Sequence, residues 1–380
     1  IKAFEYSEAS RARTLLDAVS GATSVLPMSY GPDLAITAGR KSLNLAEIQT
    51  RMPDAAQILQ YAVVDNKLFM WVVTKSEIKP EVVNITAPAL TDKVRGYLAT
   101  INQPPADAKP NTANANPSAS SVAAEMFRLL VAPAVPFLDK NKFLCIVPDK
   151  ILHYLPFDAL VSPSTGTYLV EDYNIGVAPS STLFVNLTKT AARKTQKGDE
   201  SFLGVGNPRF DRVAFESLND LKSAVKEVEA ISNFYPQHYR LLVGPRATKD
   251  NIKSEIERAD VVHLAMHFIL NGKSEMLSGF PLTPKAPATD HAADGFWQSA
   301  EIYSLKLPRT RLALLSACQT GIEQQYDAEG AVGAARPFFV AGVPVVVASL
   351  WAVDSDASAA LMIDLHKHRT RDERPVTQAL

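Results

Sequence analysis

The sequence predicts an α/β fold with a mostly parallel sheet flanked by helices. Beyond residue 200, strand-like and helix-like segments alternate regularly, which is typical of βαβ units. The strand-like segments are near-continuous Val, Leu and Ala, as in residues 344–350 (PVVVASL), a composition that parallel strands show when helices cover both faces of the sheet. Among the 380 residues, 47% are apolar and 21% are charged, which is ordinary for globular domains and argues against disorder.

Five strands and four helices account for the pattern beyond residue 200. The strand-like runs are 202–206, 240–243, 261–266, 312–316 and 344–350, and the helix-like segments are 218–234, 248–258, 329–341 and 355–368. The helix-like segments carry apolar residues at helical spacing with charged residues between them. Residues 271–296 show neither pattern, and we predict a long mobile loop there.

The first half of the chain predicts a second α/β region. An amphipathic helix is predicted over 3–19, and the strand-like runs 58–64 and 68–74 are joined by Asp65-Asn66-Lys67, which favours a hairpin. The remaining predicted elements are a strand at 81–86, helices at 91–101 and 121–131, and a buried strand at 143–147. The polar, Pro-rich stretch 103–121 predicts a mobile loop.

Three parts of the chain follow from this order of elements. We predict a helical segment over 1–40, an α/β subdomain over 41–190 and a second α/β subdomain over 200–380. The polar, basic residues 189–200 are predicted to link the two subdomains. The chain begins at Ile1 rather than Met and ends in a helix-like pattern, so we expect it to be a piece of a longer protein.

Charge and cysteine content exclude several classes of protein. The 39 Lys and Arg residues against 40 Asp and Glu leave a net charge of −1, with no basic run to bind nucleic acid. No apolar stretch reaches the roughly 18–20 residues that span a bilayer, so no membrane segment is expected. Two cysteines, Cys145 and Cys318, cannot build a disulfide framework or a four-cysteine zinc site, and they favour a reducing, cytoplasmic compartment.

Two strands of the second half end beside a reactive residue. His267 follows the run 261–266, and Cys318 follows the run 312–316. The carboxyl ends of parallel strands share one edge of a sheet, where sites gather. Imidazole can take the proton of a thiol and so produce the nucleophilic thiolate. The sequence therefore predicts a Cys–His pair, while an inert, buried Cys318 and a structural His267 remain open as alternatives.

Other candidate motifs carry less chemistry. Cys145 lies inside the apolar run FLCIV, which is typical of a packed, inert thiol. His263 and His267 form H-x-x-x-H, but no third ligand has a suitable spacing, so we expect no metal and interpret His263 as packed against the sheet. The sequence has no P-loop, no G-x-G-x-x-G and no G-x-S-x-G motif, so no cofactor is expected.

Several segments together resemble one known family. They include LCIVPDKILHYLPFDALV, VVHLAMH, LALLSACQTG and EGAVGAARPFFVAGVPVVVASLWAVDSDASAALM, and with RARTLLDAV and VTQAL they extend over nearly the whole chain. The chain resembles a CHAT domain, the caspase-like and separase-related cysteine peptidase module (clan CD) that is often found behind TPR helices. The resemblance implies a caspase-like peptidase subdomain over 200–380, a catalytically silent, pseudo-caspase-like subdomain before it, and the end of a TPR-like region in 1–40.

The resemblance also implies roles for individual residues. His267 would be the general base, and Cys318 would be the nucleophile that forms a thioester with the substrate. The backbone N–H groups of Phe268 and Cys318 would form the oxyanion hole. Caspases carry Gly where this chain has Phe268, so the backbone of that turn is less free here and the hole could form on activation.

A substrate pocket is implied beside this dyad. Asp354 and Asp356 follow the Leu350-Trp351 block, where separase-like members bind a basic side chain before the scissile bond. Either Asp could instead cap the helix that starts near residue 355. Gln319 would shape the pocket wall.

These implications predict a cysteine endopeptidase that acts on a protein substrate. A regulatory protein partner would bind the upstream TPR-like region and shift the 271–296 loop. A catalytically silent CHAT signalling or scaffold module is the alternative, and a thiol hydrolase of small amides or esters is a third.

Overall fold

The computed structural model describes residues 1–11, 42–101, 117–194, 199–271, 274–285, 295–316, 334–350 and 354–380. Contacts between Cα atoms divide the chain into two compact units, each with its own five-stranded sheet. Among the described residues, the first unit contains 1–11, 42–101 and 117–186, and the second contains those from 187 to 380.

The first unit contains a mixed sheet. Its strands are β1 (Ala56–Val64), β2 (Lys67–Val73), β3 (Ile78–Asn84), β4 (Phe143–Val147) and β5 (Ile175–Val177), in the order β3-β2-β1-β4-β5. The first three strands are antiparallel, whereas β4 and β5 run parallel to β1. The predicted hairpin is confirmed, since Val64 pairs with Lys67. Asp65 turns the chain at φ 40°, in a region that Asp tolerates better than most residues.

Among the described residues of this part of the chain, six α-helices accompany the sheet. They are α1 (Lys2–Ala9), α2 (Leu45–Arg51), α3 (Ala87–Ile101), α4 (Pro117–Leu130), α5 (Leu169–Asp172) and α6 (Ser181–Arg193). Asn44 starts α2 with a capping box, because its side chain accepts the Glu47 N–H while the Glu47 carboxylate accepts the Asn44 N–H. The apolar faces of α3 and α4 enter one core with β1 and β2.

The second unit contains the predicted parallel sheet. Its strands are β6 (Phe202–Gly206), β7 (Tyr239–Val243), β8 (Val261–Ala265), β11 (Leu312–Leu315) and β12 (Val345–Ala348), in the order β12-β11-β8-β6-β7 and all parallel. Two further strands, β9 (Gly279–Pro281) and β10 (Phe296–Gln298), pair antiparallel with each other. The fold class predicted from the sequence is therefore confirmed.

Helices cover both faces of the parallel sheet. They are α7 (Lys222–Ser232), α8 (Lys249–Ile256), α9 (Ser299–Tyr303), α10 (Arg336–Val340), α11 (Ser355–Arg371) and α12 (Val376–Ala379). Val262 and Leu264 of β8 pack in one core with α8, α9 and α10. Val261 packs in another core with α7, α11 and α12. This double burial explains why the strands contain almost no polar residues.

Some boundaries differ from those predicted. The helix predicted over 3–19 is described only as α1, and residues 12–41 lie outside the described ranges. The loop predicted over 103–121 is wrong at its end, since α4 begins at Pro117, where proline suits the first helical turn. Residues 102–116 lie outside the described ranges.

Two segments predicted as irregular contain regular structure. The linker predicted over 189–200 is wrong up to Arg193, because α6 continues to that residue; residues 195–198 are not described. The segment 271–296 contains β9 and the start of β10, with residues 272–273 and 286–294 not described. Within the described parts of the chain, no helix is both long and apolar enough to cross a membrane.

Candidate functional site

Five chain segments leave the parallel sheet at its carboxyl edge. They follow β6, β7, β8, β11 and β12, and they begin at residues 207, 244, 266, 316 and 349. Because β8 lies between β6 and β11 in the middle of the sheet, the residues after β8 are flanked on both sides by these segments. The predicted base, His267, stands on the central segment, where ligand sites of parallel sheets are found.

The imidazole of His267 is buried, and among the described residues only one of its two nitrogens has a hydrogen-bond partner. Its Nε2 lies 2.7 Å from the Asn219 carbonyl oxygen, and the residue is 7% exposed. A carbonyl oxygen can only accept, so Nε2 carries the hydrogen, and the neutral ring has its lone pair at Nδ1. Nδ1 is buried and has no hydrogen-bond partner among the described residues. The arrangement presents a proton acceptor at Nδ1.

The loop between β6 and α7 supplies the contacts to this ring. The Phe210 ring meets the imidazole in a T-shaped contact, at 5.6 Å between centroids and 81° between planes. Both ends of the loop are fixed by Asn207, whose N–H donates to the Ala265 carbonyl and whose Oδ1 accepts the Leu221 N–H at 3.0 Å. Asn207 takes φ 42°, a conformation that Asn adopts more readily than most residues.

Sequence reasoning identified neither Asn219 nor Phe210 as a partner of His267. Asn219 contributes through its backbone carbonyl, a group that every residue carries, so no residue type could have indicated it. Phe210 lies in an irregular segment with no period from which its direction could be inferred.

Phe268, the residue predicted to donate to an oxyanion, follows the base directly. Its ring is buried against Phe280, with centroids 4.9 Å apart. No described residue accepts a hydrogen bond from its backbone N–H. Its φ is not positive, so the turn does not need the Gly that caspases carry.

The predicted nucleophile lies outside the described residues. Cys318 and Gln319 both fall in the segment 317–333, about which the structure gives no description. The last described residue before it is Ser316, which is 7% exposed and directly follows β11. The Cys–His pair and the pocket wall at Gln319 therefore stay predictions.

The two predicted substrate acids lie at the start of α11. Asp354 is its N-cap, since one Oδ1 accepts the N–H groups of Asp356 at 3.0 Å and of Ala357 at 2.9 Å. The Asp356 carboxylate accepts the hydroxyl of Ser223 on α7. The capping alternative is thus confirmed for Asp354, and Asp356 is joined to the helix that begins just after Asn219.

An ion pair fixes the segment that follows the base. Glu275 accepts from Arg336 Nη1 and from the Tyr303 hydroxyl, each at 2.9 Å. Arg336 is 7% exposed and begins α10, just after the undescribed segment 317–333. This pair links the residues after His267 to the residues after that segment.

The other candidate residues are structural. His263 is fully buried and bonds Glu227 at 2.7 Å and His366 at 3.2 Å, and His366 bonds the Tyr235 hydroxyl at 2.9 Å. The prediction that His263 packs against the sheet is confirmed. Within the described ranges, no group of three or more His, Cys, Asp or Glu side chains is placed to hold a metal ion.

The predicted burial of Cys145 is also confirmed. The side chain is 1% exposed and packs with β1 and β2 residues in an apolar core. Burial raises the pKa of its thiol well above the usual range, so the residue stays protonated and unreactive.

Comparison with known proteins identifies relatives of this chain. A family model described as the CHAT domain matches residues 120–380. Tetratricopeptide repeat protein 28 of Homo sapiens is 26% identical over 279 residues, covering 61% of this chain and 11% of that protein. The Mus musculus protein of the same name is 24% identical with the same coverage. The chain thus spans about a tenth of the length of these relatives.

Two solved structures show a weaker likeness. The complex of Porphyromonas gingivalis RgpB pro- and mature domains gives a TM-score of 0.39 at 11% identity, covering 67% of this chain and 59% of that one. The Arg-specific cysteine proteinase gingipain R gives 0.37 at 13% identity, covering 70% and 59%.

Proposed function

The chain belongs to the CHAT domain family, and on that premise we propose that it is a cysteine endopeptidase with Cys318 as nucleophile and His267 as general base. The observation that carries the proposal is the state of the imidazole. Its Nε2 is fixed by the Asn219 carbonyl, while its buried Nδ1 has no partner among the residues that are described. A ring held in this way can accept the proton of a thiol.

The register of the sheet supports Cys318 as the thiol. Leu315, the last residue of β11, pairs with Leu264 of the adjacent strand β8. His267 comes three positions after Leu264 (267 − 264 = 3), and Cys318 comes three positions after Leu315 (318 − 315 = 3). The two segments thus leave neighbouring strands with the same number of positions between the paired strand residue and the reactive residue.

The proposed reaction has two halves. His267 Nδ1 takes the thiol proton of Cys318 as the sulfur attacks the substrate carbonyl carbon, and the carbonyl oxygen becomes an anion near the Phe268 N–H. The C–N bond then breaks, the leaving amine takes the proton from Nδ1, and a thioester remains. Water attacks the thioester, gives its proton to Nδ1 and releases the acid, after which the proton returns to sulfur. The Asn219 carbonyl stabilises the imidazolium in both halves, because it accepts the Nε2–H throughout.

The substrate side of the proposal concerns a basic residue before the scissile bond. Asp354 and Asp356 are both exposed, and Asp356 is bonded to Ser223 near the loop that holds His267. One Asp354 oxygen is occupied by the helix cap, so Asp356 is the acid that we assign to the substrate. Arg- and Lys-containing reporters should be cleaved more slowly by Asp356→Asn and at an unchanged rate by Asp354→Asn, which keeps a capping side chain.

Alkylation of the two cysteines tests the dyad without a substrate. Iodoacetamide should modify Cys318 much faster than the buried Cys145, and His267→Ala should slow modification of Cys318, because imidazole favours its thiolate. Mass spectrometry of peptides from each half of the chain gives both rates in one sample, with Cys145 as the internal control. Equal Cys318 rates in wild type and His267→Ala would contradict the dyad.

Peptide cleavage tests the endopeptidase activity itself. Reporters with Arg, Lys or Asp before the scissile bond are incubated with wild type, Cys318→Ala and Cys145→Ala, with the upstream repeats and their partner present. We expect cleavage by wild type and Cys145→Ala only. If Cys318→Ala cleaves as well as wild type, Cys318 is not the nucleophile and the proposal fails. If nothing cleaves although the dyad alkylates as expected, the scaffold alternative replaces the peptidase.

Regulation by a partner is part of the proposal. The relatives named above are tetratricopeptide repeat proteins, and such repeats bind other proteins. A partner on upstream repeats would act through the 271–296 segment, whose Glu275 is bonded to Arg336 and Tyr303. Hydrogen exchange of the full-length protein should change in that segment when the partner binds.

A further inference from the structure

One arginine contacts the residues on either side of Asn219. Arg212 Nη1 donates to the Leu218 carbonyl oxygen at 2.6 Å, and Nη2 donates to the Asp220 carboxylate. Leu218 and Asp220 are the two chain neighbours of Asn219, whose carbonyl accepts from His267. The planar guanidinium holds its donors in a fixed fork, so these two bonds fix the Leu218 carbonyl and the Asp220 side chain on either side of the Asn219 carbonyl.

The same guanidinium also covers the aromatic neighbour of the base. The Cζ atom of Arg212 lies 4.5 Å from the centroid of the Phe210 ring, within the range of a cation–π contact. That ring meets the His267 imidazole in a T-shaped contact at 5.6 Å. Arg212 therefore contacts both the Phe210 ring and the two chain neighbours of the residue whose carbonyl accepts from His267.

We infer that Arg212 is a positioning residue that fixes the tautomer and orientation of His267. Its hydrogen bonds go to the neighbours of Asn219 and its cation–π contact goes to Phe210, so it acts through Asn219 and Phe210. The inference rests on the proposed function, in which the His267 lone pair at Nδ1 takes the thiol proton. Without the fork, the Asn219 carbonyl can turn away, and the ring can then place its hydrogen on either nitrogen.

The side chain is suited to mutation because it is not part of a core. Its exposed fraction is 49%, and that of the Asp220 side chain is 55%, so replacement leaves no buried charge and the fold should persist. Arg212→Gln removes the fork and the cation. Arg240→Gln is the matched control, because Arg240 is 72% exposed in the same unit and pairs only loosely with Glu255 at 3.9 Å.

The experiment measures the tautomer directly. Histidine labelled with ¹⁵N is introduced into the full chain carrying Cys318→Ala, and the His267 signals are assigned by comparison with His267→Gln. In wild-type background and in Arg240→Gln we expect a ring protonated at Nε2, with Nδ1 unprotonated. In Arg212→Gln we expect a mixture in which Nδ1–H is populated, and in Arg212→Lys an intermediate ratio, since one ammonium cannot reproduce the fork.

Kinetics give a second measurement. With an active chain, Arg212→Gln should lower kcat about tenfold to 100-fold with KM within about twofold, as expected when a reacting group is misplaced. An unchanged tautomer ratio in Arg212→Gln overturns the inference even if cleavage falls. If no variant cleaves peptides, the proposed function fails, and the tautomer ratio still decides the role of Arg212.

Discussion

At the carboxyl ends of their parallel strands, the two sheets differ in whether the buried polar groups are paired. In the first sheet, the guanidinium of Arg11 donates to the Tyr61 carbonyl of β1 and to the Pro148 carbonyl just after β4, and lies 3.7 Å from Asp149. In the second sheet the corresponding edge carries His267, with a buried nitrogen that has no partner in the described ranges. One edge has its acceptors satisfied by a buried cation, and the other keeps a free lone pair.

The second sheet has a half-buried cation at the other edge. Lys194 Nζ donates to the carbonyls of Leu307, Thr310 and Gly342 at 2.5–2.9 Å, and these residues precede β11 and β12. The same device, an amine or guanidinium on several carbonyls, thus closes the carboxyl edge of one sheet and the amino edge of the other. In the second sheet, the cation pairs with carbonyls at the amino edge and leaves the carboxyl edge to the candidate site.

The largest expected effect concerns Arg11. Arg11→Ala should lower the free energy of unfolding of the first unit by about 3–5 kcal/mol, because it strands a partly buried carboxylate and two backbone acceptors. Burial already lowers the pKa of this guanidinium, against the opposing influence of Asp149 and Glu8. Urea denaturation measures the effect, with Arg51→Ala as the control, because Arg51 and its partner Glu47 are both exposed by nearly half. Similar losses of unfolding free energy in the two variants would refute a stabilising role of Arg11 at this edge.

Lys194 should give the next effect. Lys194→Met leaves three carbonyls without a donor and should cost about 2 kcal/mol of unfolding free energy. Lys189 on the preceding helix is exposed, so Lys189→Met serves as the control and should change stability by less than about 0.5 kcal/mol. A Lys194→Met protein as stable as its control would show that the amino edge needs no cation.

The third prediction concerns Asp354 and asks whether its carboxylate caps α11 or takes part in the candidate site at the carboxyl edge. Asp354→Ala should cost about 1 kcal/mol of unfolding free energy by removing the N-cap, and Asp354→Ser should restore most of it. Chemical denaturation measures both. If Asp354→Ser loses as much unfolding free energy as Asp354→Ala, the capping role is contradicted.

The smallest effect is a pH dependence from the chain of buried groups beneath β8. Burial, with His263 and Arg369 nearby, lowers the pKa of His366 well below its usual value of 6.5, and burial raises the pKa of Tyr235 to about 12. As the pH falls below about 6.5, the unfolded chain takes up a proton that the folded His366 refuses, so stability declines toward acid. Tm measured from pH 7.5 to 5 should fall less in His366→Gln than in wild type or in His238→Gln, an exposed control.

The sequence predicted what depends on residue type and period, and missed what depends on distant backbone groups. The apolar runs indicated the parallel sheet, and His267 was placed at a strand end because it directly follows the strand-like run 261–266. Arg11 could not be assigned, since its acceptors are the carbonyls of residues 50 and 137 positions away. The Asn219 carbonyl was equally invisible, because a backbone oxygen has no sequence signature.

The central position of β8 has a kinetic consequence. Its amides bond to neighbours on both sides and are buried on both faces, so they exchange with solvent only when the whole unit opens. His267 stands two residues beyond this strand, whereas its orienting contacts come from an irregular surface loop. The backbone position of His267 is therefore kept for as long as the domain stays folded. Substitutions in the 207–221 loop can change the orientation of its ring without speeding the unfolding of the domain.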